Sequence, residues 1–453
     1  MQNYKTLKEL YYEFLIPLQK KYRQIESRGL RVDFEQRKRL DDKYLSLLKE
    51  NHENLNSLAG HEVNFNSNAG EKGQVPRLIY HELNCPRRAG VDDDTLTALK
   101  NNILSKNVKW ERAIKIIDLV LECRKLHKCL NTYVRARPDL DGRMRTWYSL
   151  IKETGRSSTQ ILKPPNRWGK WGLAFQTITK HADKSESGIG RDLRSMFIPD
   201  DGKIFVEVDL SQAEARVVML LAEDYDLLEK MDDPLFDLHV LTSSWIYPNI
   251  FSKYIIPSKP GYFERAAKKE LMRQRGKKTR HAGHYDMGAN ECAIQMQISV
   301  AKAKNCLEVF HKYSPNVKEK FHKGVQNALL SNHNTLWKPP GRRREFYEKW
   351  GNKLFKEAYA DIPQGSVSDQ TKWSILRADE QGVTDVVMEA HDSITYQIEE
   401  EKLDWSLGIV QPLMESEIDF SCCSLPRGKL KIPSEVKVYR ENLEKGEDYA
   451  RRK

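Results

Sequence analysis

The sequence predicts an α+β fold: an all-helical N-terminal arm, then a sheet-bearing domain whose sheet is split by a helical insertion. Three observations carry this. Apolar residues recur at helical spacing over residues 5–57 and again over 109–135. Two stretches, "KIFVEVDL" (203–210) and "TDVVMEAHDSITYQIEEE" (384–401), read instead as strands, the second as two strands joined by a tight turn at His391 and Asp392. The residues between them are mostly helical in pattern.

In order along the chain, "LKELYYEFLIPLQKKYRQIESRGLRVD" opens with an amphipathic helix that Gly29 stops, and a second long helix follows. "HEVNFNSNAGEKGQVP" (61–76) is polar and turn-rich. The acid run Asp92–Asp94 looks catalytic at first sight, but it suits the start of the helix "TLTALKNNIL", where the helix dipole favours negative charge. Residues 109–135 form a helix rich in Lys and Arg on its polar side. The character changes to α+β from about residue 145. "FERAAKKELMRQRGKKTRHAGHYDMGAN" (263–290) reads as a long basic helix, and "WKPPGRRREF" (337–346) as a basic loop.

Composition narrows the function. The 453 residues are 39% hydrophobic, enough for real cores. The net charge is +11. Such a surplus points to a polyanion, most simply nucleic acid, with surface solubility as the competing reading. Seven scattered Cys, two of them adjacent at Cys422 and Cys423, form no zinc ribbon and no disulfide framework. A reducing, cytoplasmic compartment fits. No apolar run approaches the roughly 18 residues of a membrane span, and "MQNYKTLKELYYEFL" lacks a signal peptide's apolar core.

The chemistry lies in a few acids and one basic helix. In "VEVDLSQAEARVV" (206–218), Asp209 ends an apolar strand. Ser211 and Glu214 have the spacing of a capping box for the helix that follows. Asp392 sits at a hairpin tip after "VVM", where an acid is commonly a turn residue. If the two strands are neighbours in one sheet, both carboxylates could converge on a pair of divalent ions, the apparatus of in-line nucleotidyl transfer. On the basic helix Arg273, Lys277, His281 and Tyr285 recur every four residues, a stripe that drifts slowly round one face. Such a ladder could hold a triphosphate at one end and a base or sugar at the other. A solvated basic face is the plain alternative. Gly276 and Gly283 each cost that helix about 1 kcal/mol of propensity, which suggests close approach of a ligand or a helix that must move.

These motifs resemble those of family A DNA polymerases, the bacterial DNA polymerase I class. "VDLSQAEAR" is similar to D-Y-S-Q-I-E-L-R, "RQRGKKTRHAGHY" to R-x-x-x-K-x-x-x-(F/Y)-G-x-x-Y, and "EAHDS" to Q-V-H-D-E. "TGRSS" (154–158), "RDLRSMFIP" (191–199), "DLH" (237–239) and "IPQGSVSD" (362–369) follow the family's order, and "IESRGLRVD" and "NFNSNAGEKG" resemble its thumb. The likeness covers nearly the whole chain.

The resemblance implies a right-hand polymerase architecture with an antiparallel palm sheet and largely helical thumb and fingers. The thumb would take residues 1–150, the palm 151–230 and 351–453, and the fingers 231–350 with the basic helix. Asp209 and Asp392 would be metal ligands, with the carbonyl of Leu210 as a third oxygen, for two Mg²⁺ ions that Mn²⁺ can replace. Arg273, Lys277 and His239 would hold the triphosphate, Lys277 also protonating pyrophosphate. Glu214, packed near Tyr285, would exclude a ribose 2′-hydroxyl, and Gln212 and His281 would complete the dNTP site. Arg156, Gln364, His391 and Arg194 would meet primer or template. The basic helices around 105–135 would grip phosphates.

The expected activity is template-directed primer extension with dNTPs, in DNA replication or repair. The partners are primer–template DNA and dNTPs, with any exonuclease or processivity factor on another chain, as would suit a bacteriophage. A thumb-like start at the N-terminus leaves no exonuclease domain and predicts no intrinsic proofreading. A single-subunit RNA polymerase, suggested by "HDS", and an inactive DNA-binding subunit are the alternatives. Departures from the family pattern fall at His281, Ala282, Asp286, Ser393, Glu389, Leu210, Ala360 and Lys356. "LKPPNRWGKWGLAFQT" (162–177) is only loosely similar and could add a template contact.

Overall fold

The computed structural model describes residues 1–68, 73–102, 104, 107–161, 171–178, 189–233, 235–251 and 270–449. Residues 162–170 of the loosely similar segment and 263–269 of the expected basic helix lie outside them. The chain forms two compact units. One comprises Met1–Asp33, Arg137–Asp286 and His311–Lys453; the other comprises Phe34–Ala136 and Met287–Phe310. The helical N-terminal arm is therefore divided between two units.

The first unit is built on a five-stranded sheet, ordered Glu447–Asp448, Ser434–Tyr439, Lys203–Leu210, Ser393–Glu399, Val386–Glu389. All its pairings are antiparallel. Lys203–Leu210 is central, and its Ile204, Phe205, Val206, Glu207 and Val208 are all buried, so both faces of the sheet are covered. The 29-residue helix Asn352–Glu380 packs against the sheet and against the helix Leu403–Met414. A three-stranded sheet joins Leu30–Val32 to Arg143–Met144 and Phe197–Ile198. Gly29, at φ 62°, ends the preceding helix Ile16–Arg28, as its conformational freedom suggests.

Three sequence expectations change. The segment at 337–346 is a hairpin, Thr335–Lys338 with Arg342–Glu345, rather than a loop. The basic helix ends at His284, not at 290, because Asp286 turns the chain into the left-handed region at φ 52°. Ser211 does not cap the next helix. Gln212 occupies that position at φ 51° with no side-chain cap bond, and Glu214 turns elsewhere.

In the second unit the helix Phe34–Ala59 packs along Glu111–Lys128 around Leu55, Val63, Leu78, Leu96, Ile116 and Val120. Asp92 accepts the Thr95 N–H at 2.9 Å, and Asp93 pairs at 2.8 Å with the buried Arg124. The acid run thus starts a helix and anchors a guanidinium.

Candidate active site

The strand Lys203–Leu210 carries Asp209 to one end of the central sheet, and register places Ser393 opposite it. At the same end, the Leu210 N–H donates to the carbonyl of Asp392 at 2.9 Å. The two acids therefore belong to adjacent residues of one strand pair, although 183 positions separate them in sequence. Both are half-buried. Asp392 owes its position to a tight turn: its N–H donates to the Ala390 carbonyl at 2.8 Å, across His391 at φ 63°. That is a γ-turn of the rare positive-φ kind, costing on the order of 1–3 kcal/mol.

Glu214 joins two other expected site residues. It accepts the Tyr285 hydroxyl at 2.6 Å on one oxygen and the Arg156 guanidinium on the other. Burial, above all, raises the Tyr285 phenol, so the hydroxyl keeps its proton; Arg156 and Gln364 act the other way. Burial lowers Arg156, while Tyr285, Asp392 and Glu389 raise it, which places the guanidinium in the field of the acid-bearing turn. His281 packs edge-on against Tyr285, ring centroids 4.9 Å apart.

The basic helix, Glu270–His284, lies against Leu238–Ile246. Arg273 pairs with Asp237 at 2.6 Å, and Asp237 also caps that second helix through the His239 and Val240 N–H groups. Lys277 is exposed. Burial holds His239 well below the ordinary histidine range; Asp237 opposes this, and Arg273, Lys277 and Arg280 reinforce it. At neutral pH His239 is therefore a neutral hydrogen-bonding group and not a third cation. Gly276 has a structural cause: a Cβ there would come under 3.0 Å from the His239 carbonyl and the Ser243 hydroxyl. The neighbouring helix, rather than a ligand, makes the close approach.

A buried ionic network supports the "TGRSS" loop. Lys338 Nζ reaches the Thr154 carbonyl at 2.9 Å and Asp361 at 2.6 Å, and Lys372 donates to the Gly155 carbonyl. Arg342 pairs with Asp369. A Cβ at Gly365, beside Gln364, would lie 2.6 Å from the Thr154 carbonyl, so the loop presses directly on this helix. The cations of "WKPPGRRREF" are thus spent largely inside the protein.

Arg194 stands apart from the other expected residues. It is buried, donates to the Leu443 carbonyl at 3.0 Å and pairs with buried Glu207 at 3.4 Å. Burial and these two partners give it a core role. The Gln212 Oε1 is buried with no hydrogen-bond partner among the described residues. In the sequence Glu389 is marked only as a departure from the family pattern. It is fully buried and accepts from Tyr22 at 2.9 Å, from Ser157, and from the His391 N–H at 2.6 Å. An acid directly following the apolar "VVM" was the available signal.

The family model for DNA polymerase family A matches residues 35–441. The chain belongs to DNA polymerase family A. It is similar to the thermostable DNA polymerase I of Thermus aquaticus, 23% identical over 95% of this chain and 47% of that protein. It is 26% identical to the DNA polymerase I of Helicobacter pylori, over 90% of this chain and 42% of that protein. The chain thus spans less than half the length of these relatives. In fold it is similar to the POL domain of Pol1 from M. smegmatis, solved in complex with DNA primer-template and dNTP. That likeness has a TM-score of 0.70 at 20% identity and covers 96% of this chain and 70% of the other.

Family A polymerases generally use divalent metal ions, and the residues here suit such ions. Among the described residues no three His, Cys, Asp or Glu side chains gather into a cage. The two aspartates and the backbone beside them supply only oxygen, the donor set that hard cations take. Mg²⁺ in particular is commonly bound by one or two carboxylates, with substrate phosphates and waters as the remaining ligands. The departure at Asp286 is also intelligible in this family A chain: the family's usual Gly and an Asp both tolerate the left-handed conformation seen there.

Proposed function

We propose that this chain is a template-directed DNA polymerase, extending a primer 3′ end with dNTPs by metal-assisted nucleotidyl transfer. The observation that carries this is the backbone bond from Leu210 to Asp392, which fastens the two acid-bearing strand ends together. Asp209, Asp392 and the Leu210 carbonyl would hold two Mg²⁺ ions. When bound, such ions lower the pKa of the attacking hydroxyl and neutralise charge on the leaving pyrophosphate.

The protein's own groups do the rest. Arg273 and Lys277 attract the triphosphate, and His239 donates to it as a neutral group. Lys277 gives its proton to pyrophosphate. Glu214, held by Tyr285, presents a wall where a 2′-hydroxyl would sit. Arg156 and Gln364, with His391 near the primer end, check the geometry of the terminal pair from the minor groove. Arg156 must exchange Glu214 for DNA to do so.

The test is primer extension with purified protein, Mg²⁺ and each nucleotide set. Extension with dNTPs supports the reading. Equally efficient use of rNTPs would favour the RNA polymerase alternative and remove the role given to Glu214. No extension by the wild type would favour an inactive DNA-binding subunit.

A further inference from the structure

We propose that Glu389 is a positioning residue that locks the Asp392 turn to the loop carrying Arg156, an inference that rests on the polymerase reading above. Among the described residues, four groups donate to its carboxylate. One oxygen takes the His391 N–H at 2.6 Å, inside the strained γ-turn that presents Asp392. The other takes the Tyr22 hydroxyl at 2.9 Å, from the helix Ile16–Arg28, and the Ser157 hydroxyl, next to Arg156. The Gln176 amide donates to the same oxygen at 3.4 Å and to the Glu389 carbonyl at 3.2 Å. Tyr148 brackets the Glu389 backbone, accepting its N–H at 3.0 Å and donating to its carbonyl at 3.2 Å.

An ionised carboxylate offers acceptors alone, so it satisfies these donors from both oxygens at once. A glutamine, the family's usual residue here, would turn an NH₂ toward one set of them. In this chain the carboxylate does more than fill the strand end. It ties the turn bearing Asp392, the residue beside Arg156 and an N-terminal helix to one point. Any slack there moves a metal ligand and the primer-reading loop together.

The experiment combines single-nucleotide extension by the full chain with Mn²⁺ binding, followed by the EPR signal of the free ion in the presence of primer–template. Charge-assisted hydrogen bonds are roughly twice as strong as neutral ones, so Glu389→Gln should lower kcat about tenfold and raise the Mn²⁺ Kd at least about threefold, with the dNTP KM held within about twofold. Tyr22→Phe and Ser157→Ala, each removing one donor, should shift kcat and Mn²⁺ Kd the same way by about 2- to 5-fold. Ser157→Ala should also weaken rejection of a mismatched primer end. Wild-type kcat and Mn²⁺ affinity in Glu389→Gln would overturn the proposal, even with a lowered urea midpoint, because a purely structural role predicts that pattern. Should Glu389→Gln fail to fold, wild-type values in both hydroxyl deletions would overturn it equally. A wild-type chain that extends no primer would refute the polymerase reading instead, and the Mn²⁺ arm would still decide this one.

Discussion

Leu210 donates its backbone N–H to the carbonyl of Asp392 at 2.9 Å, closing the sheet at the point where both acids emerge. If the two carboxylates hold the same ions, they should act as a unit. Asp209→Asn and Asp392→Asn should each slow single-turnover extension by at least about 10³-fold, and the double variant should be little worse than either, as for other residues that act together. Primer–template affinity, read by fluorescence anisotropy, should stay near wild type in all three. Independent, multiplying losses would show that the two acids serve different sites.

Glu214 accepts from Tyr285 and Arg156, and the Tyr285 bond holds its side chain when Arg156 turns to DNA. Shortening it should open room for one hydroxyl. Discrimination by a single small group is worth about 10- to 200-fold, so Glu214→Ala should raise relative rNTP use by roughly that factor. Competition between dCTP and CTP on one template measures it. Unchanged selectivity would place the gate elsewhere.

Lys338 and Asp361 form a 2.6 Å pair whose side chains are 1% and 0% exposed. Removing one partner from such a pair typically costs about 3–5 kcal/mol, whereas replacing both by packed apolar groups is often neutral. Lys338→Met should therefore lower the urea midpoint strongly, and Lys338→Met with Asp361→Leu should recover much of the loss. If the double variant is as unstable as the single, the Thr154 contact is the part that matters.

His284 and His322 lie buried, with His322 Nε2 donating to the His284 carbonyl at 2.7 Å. Burial is the largest cause holding both below the ordinary histidine range. For His284, Arg280 and neighbouring histidines act the same way; for His322 the bond to His284 and Asp286 oppose. As pH falls through about 6.5 the unfolded chain binds protons that the folded chain does not, and stability falls by up to about 1.4 kcal/mol per pH unit per histidine. The urea midpoint should be lower at pH 5 than at pH 7.5, with a shallower drop in His322→Phe. A midpoint that is flat or rises on acidification would contradict this.

Much of this site could be read in the sequence because its signals are local. Asp209 and Asp392 stand out as acids ending apolar strands, and Arg273 and Lys277 as steps on one helix face. What could not be read depends on contacts between distant segments. Gly276 suggested a ligand, yet its neighbour is the His239 backbone, 37 residues earlier. The cations after Trp337 read only as a basic loop, yet Lys338 and Arg342 answer to Asp361 and Asp369 on a later helix. Arg194 carries a motif residue's position, and its burial against Glu207 is a contact between separate elements. Glu389 depends on Tyr22 and Ser157, and no spacing rule connects those three.

The central claim concerns the ions themselves. The most direct measurement is anomalous diffraction from crystals of the full chain with primer–template, a non-hydrolysable dNTP and Mn²⁺. The account predicts anomalous peaks between the carboxylates of Asp209 and Asp392, at ligand distances near the roughly 2.0–2.1 Å typical of Mg²⁺ sites. Well-ordered nucleotide with no ion between those two side chains, or ions held only by other residues, would contradict it.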